Sequence, residues 1–438
     1  MIILIIIHIL ILSNLQFTAW PEMLSFPYMI DKGFLIYKDF HHVYQPFLTF
    51  MLLGVYKVFG FKIIVLKVFT YILIALIDLM LYLNIKKIAG KKNIAILGLG
   101  IYVLLQPIFD GNMLWYDVGV ILPVLISVYF INSNLFLSGL FVAIAFLIKQ
   151  QALLIGLPIF IYLLVAKTKI KDIKKFLLGC LSPIAILVLL LVKYNLFNDY
   201  FFWTFKFPIF YLPKIQGYAI NPNLQEYIIL GIMALTLFVG MVSNYKKINI
   251  KFYLLMSILF FLVLSAFPRF SLFHLQPAIA IFSLLIGYLF SLKSKYFVFT
   301  IIPLFFLWRN VLTTAGYEDR FYETSEKKFA EEIKQTVGKD RIYLLGPSSI
   351  EYVMSSTIPP KPWIENYVWH FEILDLQEKV IDGWVIDPPK YIYWTKSEEG
   401  NWYDLGTYQP AKIVEYIEEN YEKKEEIENI EVWKLMKI

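Results

Sequence analysis

The sequence predicts an α-helical polytopic membrane protein with about eleven transmembrane helices and a small C-terminal α/β domain. The first observation is composition: 59% of the residues are hydrophobic and 17% are charged, whereas soluble chains carry about 25% charged residues. The second is distribution, because long apolar runs continue to about residue 316 and charges become frequent after it. We therefore expect a membrane domain over 1–316 and an extracytoplasmic domain over 317–438.

Each expected transmembrane helix corresponds to an apolar run long enough, or nearly so, to span a bilayer. These runs are 1–19, 62–84, 93–109, 116–131, 135–148, 152–166, 176–192, 225–243, 252–266, 272–291 and 296–313. The first has no basic n-region and no small-residue cleavage site before Trp20, which favours a retained helix over a signal peptide. The run 46–60 contains Lys57 and two glycines. It predicts an interfacial helix within a first outer loop, 20–61.

The basic residues predict the orientation of these helices. With the N-terminus in the cytoplasm, the inner loops include KKIAGKK (86–92), KTKIKDIKK (167–175), KKINIK (246–251) and KSK (293–295). Such clusters are typical of cytoplasmic loops. Counting 46–60 as a full span would move KKIAGKK outside. We therefore expect a multi-pass protein of the plasma membrane with its C-terminal domain extracytoplasmic.

The C-terminal domain combines helical and strand patterns. Helices are expected at EKKFAEEIKQTV (326–337) and AKIVEYIEENYEK (411–423), and strands at DRIYLLG (340–346), KYIYWTK (390–396) and IENIEVWKLM (427–436). The segment LLGPSS after the first strand lacks the glycine spacing of a nucleotide-binding loop.

Charge and cysteine content exclude other classes of protein. The net charge is +6, and the basic residues lie in short runs between apolar segments. This is the pattern of membrane loops and not of a nucleic-acid interface. The single cysteine, Cys180, excludes a disulfide framework and a cysteine metal cluster.

Polar residues concentrate at one expected face of the membrane domain. Those at or near the outer ends of the helices are Glu22, Asp31, Asp39, His41, His42, Asp110, Asp117, Lys149, Arg269 and His274. Charged groups at membrane depth are costly, so they tend to face a cavity or each other. The sequence therefore predicts a polar cavity that opens outward beneath the first loop.

Two passages carry a family resemblance. The first places Glu22, Gly33, Tyr37, Asp39-Phe40 and Pro46 in order after the first helix, and the second is AFPRFSLFHLQPA (266–278). Together they resemble the GT-C superfamily of polyprenyl-phosphate-sugar-dependent glycosyltransferases, which includes protein O-mannosyltransferases and aminoarabinose transferases. The resemblance covers about residues 1–315 and implies a GT-C type membrane domain.

The resemblance implies an inverting glycosyltransferase that uses a polyprenyl-phosphate-linked sugar. Glu22 would be the general base in one direct displacement, since the family's tandem Asp-Glu is reduced here to Pro21-Glu22. The acceptor would be a hydroxyl or amine of a lipid, glycan or protein. The alternative for Glu22 is a solvated residue just past a helix end, and loss of activity is a further alternative because the acidic pair is incomplete.

A phosphate leaving group requires cations on the other side of the anomeric carbon. Arg269 and His274 fit this role, because arginine at an outer edge runs against the positive-inside bias and holds phosphate bidentately. Their alternative is simple snorkelling to the interface. Lys149 is a further phosphate-binding candidate, and its alternative is a polar turn between two helices.

The remaining candidates are expected to bind substrate: Tyr37, Asp39, His41, Tyr116, Asp117 and Gln150. Asp117 has an equally simple explanation as an acidic residue at a helix N-terminus. The adjacent His41 and His42 cannot easily face one ion. No cofactor is predicted, and a divalent ion, which some members of the family use, stays open. The rival function is a lipid or glycan transporter or flippase, although no duplicated halves are visible.

Overall fold

The computed structural model describes residues 1–215, 217–292, 302–303, 306–338, 340–366, 368–371, 373, 375–395 and 410–436. The helical part contains α1 Ile2–Ser13, α2 Glu22–Asp31, α3 Phe47–Phe59, α4 Ile63–Ala89, α5 Lys92–Leu105, α6 Tyr116–Phe130, α7 Leu135–Ile148, α8 Gly156–Val165, α9 Ile170–Lys193, α10 Phe197–Phe201, α11 Phe207–Phe210, α12 Leu224–Ser243, α13 Ile250–Leu264 and α14 Gln276–Ser291. Shorter turns occupy Gln106–Phe109, Gln150–Ile155, Phe202–Lys206, Leu212–Lys214 and Leu272–Leu275.

A helix lies at each of the first ten expected spans. Within the described residues, five helical stretches are long and apolar enough to cross a membrane: Ile63–Ala89, Lys92–Phe109, Ile170–Lys193, Leu224–Ser243 and Leu272–Ser291. The others have 10–17 residues, so the expected count of eleven spanning helices is not confirmed. Residues 296–301 and 304–305 of the last expected span, 296–313, and the KSK cluster lie outside the described residues. Within the described part of this span, Trp308–Leu312 is helical.

Helix α14 forms the centre of the helical part. Its residues from Gln276 to Leu289 are buried, and it packs against α4, α5, α6 and α13. Helix α9 lies at the periphery, where Leu178 and Leu189 are exposed. Exposed leucines on such long apolar helices are what contact with lipid tails requires.

A buried polar cluster ties the first helix to the rest. His8 Nδ1 lies 2.9 Å from Asp78 Oδ2, and His8 Nε2 lies 3.2 Å from Gln106 Oε1. The amide of Gln106 then donates to the Gly111 carbonyl at 2.7 Å. Ionisable groups at this depth tend to pair with one another, and here the pairing joins α1 to α4 and to the turn after α5.

The C-terminal domain is the expected small α/β unit. Its sheet has the order β1-β2-β4-β3, with strands Ile342–Leu345, Tyr391–Thr395, Tyr421–Ile427 and Ile430–Leu435 as β1 to β4. Strands β1 and β2 are parallel, and the other pairs are antiparallel. The described helices are Thr324–Val337, Ile350–Ser355, Val368–Phe371, Leu376–Ile386 and Ala411–Asn420.

One predicted boundary in this domain is wrong. The helix expected over 411–423 ends at Asn420, and Tyr421–Ile427 is strand β3. The strand was missed because YEKKEEI carries charges at its central positions, as an edge strand with one neighbour allows. A two-residue loop, in which Glu428 adopts a φ of +55°, returns the chain into β4.

Residues 20–45 of the first loop lie between the helical part and the C-terminal domain. The Ala19 N–H donates to the Arg320 carbonyl at 3.0 Å, and the Trp363 N–H donates to the Asp39 carbonyl at 2.8 Å. On the opposite side, the Thr18 N–H donates to the Asn112 carbonyl at 3.0 Å. This loop is therefore held by main-chain hydrogen bonds on both sides.

Candidate functional site

Glu22 is the first residue of α2, directly after Pro21. A carboxylate in the first turn is favoured by the helix dipole. Residues Glu22 to Met29 are all buried, because the helix packs between α3 and the helix Ile350–Ser355 of the C-terminal domain. Glu22 is only 4% exposed. Glu22 is therefore a buried carboxyl group, and the alternative of a solvated residue past a helix end does not describe its environment.

Glu22 lines a cavity of about 120 Å³, called here the central cavity. Its walls are Trp20, Glu22, Phe26, His41, Val43, Tyr44, Trp115, Tyr116, Leu212, Tyr218, Arg269, Phe273, His274 and His370. Five of the candidate residues therefore meet here: Glu22, His41, Tyr116, Arg269 and His274. The fold therefore brings Glu22, near the start of the chain, close to the segment before α14 that carries Arg269. The two residues are about 250 positions apart in the sequence.

Aromatic side chains form much of the cavity wall. The Tyr44 and Tyr116 rings stack with centroids 3.9 Å apart, and the Trp20 and Trp115 rings are 4.9 Å apart. The sequence analysis did not single out Trp20, Tyr44 or Trp115, although all three flank polar candidates in the chain. Packed rings of this kind give a rigid wall that limits the access of water to a carboxyl group.

Asp117 lies buried behind the central cavity between the side chains of Lys149 and His274. Its Oδ1 accepts from Lys149 Nζ at 2.6 Å, and its Oδ2 accepts from His274 Nδ1 at 2.9 Å. Lys149 and Asp117 do not line the cavity, so the structure places them one layer further out. Their charges offset each other, and the hydrogen bond to Nδ1 orients the His274 ring.

Arg269 lies at the boundary between two cavities. Its Nη1 donates to the Tyr218 carbonyl at 3.3 Å, and its guanidinium lies 5.7 Å from the Tyr218 ring centroid. Two main-chain hydrogen bonds join this segment to the 218–220 region: Ile220 N–H to Pro268 O and Phe270 N–H to Ile220 O. The backbone on both sides of Arg269 is therefore fixed.

The second of these cavities, the large cavity, has a volume of about 630 Å³. Trp20, Arg269, Phe273 and His274 line both it and the central cavity. Its other walls are mixed: Asp110 and Arg320 supply charge, and residues such as Ile229, Leu307 and Val311 supply apolar surface. A volume of this size is in the range of ligand pockets, about 300–1,000 Å³.

A side cavity of about 310 Å³ lies beyond His41, which also lines the central cavity. Its lining includes Tyr37, Lys38, Trp203 and Lys379. The His41 ring lies 4.1 Å from the Trp203 ring, and its buried Nδ1 has no hydrogen-bond partner among the described residues. Burial holds the pKa of His41 well below its usual value, so this imidazole is neutral near pH 7.

Three candidate residues form hydrogen bonds with the backbone of the first loop and do not line the central cavity. Asp39 accepts from the Leu35 N–H at 2.9 Å and from Lys361 Nζ at 2.7 Å. The Tyr37 hydroxyl donates to the Tyr44 carbonyl at 3.0 Å, and the Gln150 amide donates to the Val43 carbonyl at 2.9 Å. These side chains satisfy the backbone of the loop that carries His41.

The adjacent histidines have different neighbours. The His42 ring lies 2.8 Å from the Tyr44 carbonyl, and its Nε2 lies 3.0 Å from both the Thr49 and Tyr116 hydroxyls. Burial lowers the pKa of His42 to about 4. Within the described residues, no group of three or more His, Cys, Asp or Glu is arranged to hold a metal ion.

The C-terminal domain adds residues that the sequence analysis missed. His370 lines the central cavity, and burial lowers its pKa to about 4. Glu365, five residues earlier, is 7% exposed. Burial and, second, the charge of Glu22 raise the pKa of Glu365 to about 8. No motif marked these residues, because only the folded domain brings them to the first loop.

Comparison with known proteins gives a structural likeness and no match in sequence. No family model and no curated protein matches the chain. Among solved structures, the chain is similar to "Crystal Structure of ArnT from Cupriavidus metallidurans bound to Undecaprenyl phosphate", with a TM-score of 0.49 and 10% sequence identity. The alignment covers 98% of this chain and 96% of that chain. This likeness concerns the course of the chain, and the roles proposed below depend on the residues of the cavities described above.

Proposed function

We propose that the protein is an inverting glycosyltransferase of the GT-C type that uses a polyprenyl-phosphate-linked sugar. The observation that carries the proposal is that the buried Glu22 shares one cavity of about 120 Å³ with Arg269 and His274. A carboxylate opposite a cationic guanidinium and a hydrogen-bonding imidazole is an arrangement that suits transfer from a phosphate leaving group. The reaction takes place at the extracytoplasmic face of the plasma membrane, with the N-terminus of the chain in the cytoplasm.

The donor phosphate binds at the wall between the central and large cavities. Arg269 supplies paired N–H donors for two phosphate oxygens. His274 contacts Asp117 through Nδ1, so its Nε2 serves the phosphate. Asp117 and Lys149 position this imidazole from behind. The large cavity, with its apolar surface formed by Ile229, Leu307 and Val311, holds the adjoining part of the lipid-linked sugar.

Glu22 accepts the proton of the acceptor hydroxyl or amine. The acceptor oxygen or nitrogen bonds to the anomeric carbon as the bond from that carbon to the phosphate oxygen breaks. The electron pair leaves with the polyprenyl phosphate, whose negative charge Arg269 stabilises. Attack from the face opposite the phosphate inverts the configuration. The proton stays on Glu22 until the products leave.

The acceptor, a lipid, glycan or protein, approaches through the side cavity. This route brings the acceptor to the anomeric carbon from the face opposite the phosphate. His41 lies between the side and central cavities, whereas Arg269 lies between the central and large cavities. The neutral His41 has a buried ring nitrogen available for the acceptor hydroxyl. Tyr37, which the sequence analysis expected to bind substrate, lines this side cavity.

Transfer of radiolabelled sugar from a polyprenyl-phosphate donor to extracted envelope lipids and glycans, with the protein in detergent, tests the proposal. Glu22→Gln keeps the shape of the side chain and removes the base, so the rate should fall at least about 10²-fold. Asp31→Asn is the matched control, because Asp31 lies on the same helix and pairs with Lys32 and Lys57 at the surface. It should transfer at the wild-type rate.

Two results would contradict the proposal. Full activity of the Glu22→Gln variant would remove Glu22 as the base. A wild-type protein that transfers no sugar but moves labelled polyprenyl-phosphate sugar across a vesicle bilayer, with no effect of Glu22→Gln, would identify the rival flippase.

A further inference from the structure

The part of the C-terminal domain described at 363–366 and 368–370 lies beside the first loop. Its start is fixed to that loop by the hydrogen bond from the Trp363 N–H to the Asp39 carbonyl, at 2.8 Å. Its end reaches the central cavity, where His370 forms part of the wall. The His370 Nδ1 lies 3.2 Å from the Glu365 carbonyl. Hydrogen bonds at Trp363 and at His370 therefore fix the chain on both sides of Glu365.

A pair of serines connects this carboxyl group to α2. The Ser349 hydroxyl donates to the Ser25 hydroxyl at 3.1 Å, and it also bonds to the Glu365 carboxyl group. Ser25 lies three residues after Glu22, which is the same face of a helix. Both carboxyl groups are buried, at 4% and 7% exposed, so water does little to screen them from each other.

Burial and the nearby Glu22 carboxyl group favour the neutral form of Glu365, and they outweigh the hydrogen bonds that favour its charged form. Its Oε1 accepts from the Asn366 N–H at 3.3 Å, and its buried Oε2 has no hydrogen-bond partner among the described residues. The titratable groups that face it are Glu22 from α2, Tyr343 from β1, Tyr352 from the helix Ile350–Ser355, and His370. None of these groups supplies a positive charge near pH 7, because burial lowers the pKa of His370 to about 4.

We propose that Glu365 is a positioning residue that keeps one proton beside Glu22, so that the two carboxyl groups carry a single negative charge when substrate binds. This inference rests on the proposed function and adds to it that the C-terminal domain completes the site. A second negative charge in the central cavity would repel the donor phosphate from Arg269 and His274. It would also compete with that phosphate for the positive charge of Arg269.

The pH profile of kcat/KM for transfer tests the inference. Glu365 loses its proton as the pH rises through about 8, so wild-type activity should fall on the alkaline side, by about tenfold per pH unit. Glu365→Gln stays neutral at every pH. Its ratio of kcat/KM at pH 9 to that at pH 7 should exceed the wild-type ratio by about tenfold.

Glu351→Gln is the matched control. Glu351 is a second buried glutamate of the same domain, and burial raises its pKa to about 9, but it does not line the central cavity. Its variant should keep the alkaline limb of the wild type. An unchanged limb in Glu365→Gln, or an equal shift in Glu351→Gln, would overturn the inference.

Thermal unfolding separates this inference from the proposed function. The pKa of Glu365 is raised from 4.5 in the unfolded chain to about 8 in the folded protein, so its contribution to stability falls as the pH rises from about 4.5 to about 8. Glu365→Gln should remove this fall, and part of its effect should vanish in a Glu22→Gln background. Glu351→Gln should show no such coupling to Glu22→Gln.

Each outcome decides one of the two ideas. If the wild type transfers no sugar but the coupling is present, the proposed function fails and the shared proton stands. If transfer requires Glu22 but the coupling is absent, the role of Glu365 fails and the proposed function stands. Glu365→Gln removes a buried ionisable group, so its folding is confirmed in the same unfolding scans.

Discussion

Asp117 and Glu365 are two buried acidic residues beside the same cavity, and their surroundings differ. Asp117 accepts from Lys149 at 2.6 Å and from His274 at 2.9 Å. Glu365 has a buried oxygen with no hydrogen-bond partner among the described residues, and its pKa is raised to about 8 by burial and then by Glu22. One carboxyl group is held as an anion by the Lys149 ammonium group, and the other keeps a proton.

The difference assigns separate tasks to the two sides of the cavity. On the side of the helical part, Asp117 fixes the orientation of His274, and the positive charge of Lys149 is already balanced. On the side of the C-terminal domain, Glu365 limits the negative charge around Glu22. Substitutions on each side test this contrast between a buried carboxyl group paired with a lysine and one that keeps its proton.

The largest effect is expected from breaking the buried pair. Lys149→Met leaves the Asp117 carboxylate with the His274 imidazole as its only side-chain hydrogen-bond partner among the described residues, and loss of one member of a buried pair costs about 3–5 kcal/mol. The free energy of unfolding in detergent measures this. The double variant Asp117→Asn/Lys149→Met should be more stable than the single Lys149 variant, because no uncompensated charge is left. A loss below about 1 kcal/mol in the single variant would show that the pair is effectively solvated.

A smaller effect, on catalysis, is expected at the wall shared by the central and large cavities. Arg269→Lys keeps the charge and loses the two-pronged contact with phosphate, so kcat/KM for the donor should fall by about 10- to 100-fold. Steady-state transfer assays at varied donor concentration measure it. Arg309→Lys is the control, since Arg309 is exposed and lies outside the three cavities. Equal kinetics for both variants would remove Arg269 from donor binding.

The smallest effect is expected where the loop meets the domain surface. Lys361 bonds to Asp39 and to the Gly33 carbonyl, both at 2.7 Å, and its side chain is 41% exposed. Exposed pairs contribute about 0–1 kcal/mol, so Lys361→Ala should lower stability by less than about 1 kcal/mol and change transfer by less than about twofold. Lys390→Ala, which breaks the surface pair with Asp340, is the matched control. A collapse of transfer in the Lys361 variant alone would show that Asp39 contributes to the site.

The helix positions could be predicted because a helix in a bilayer needs a long apolar run, which is visible in the sequence without a structure. The sequence also placed Glu22, Arg269 and His274 at one face, since charges near a membrane are rare enough to notice. Asp39 could not be assigned in the same way: its partner, Lys361, is 322 residues away. Glu365 and His370 carry no motif, and only the packing of the C-terminal domain on the loop identifies them.

The main-chain hydrogen bonds of the first loop have a consequence for biosynthesis. The Ala19 N–H donates to the Arg320 carbonyl, and the Gln16 side-chain amide donates to the Glu318 carbonyl, which is 302 residues further along the chain. While the ribosome is still translating the helices between them, the segment before Glu22 lacks these two hydrogen bonds. The central cavity is therefore complete only after synthesis has passed residue 370, because His370 forms part of its wall.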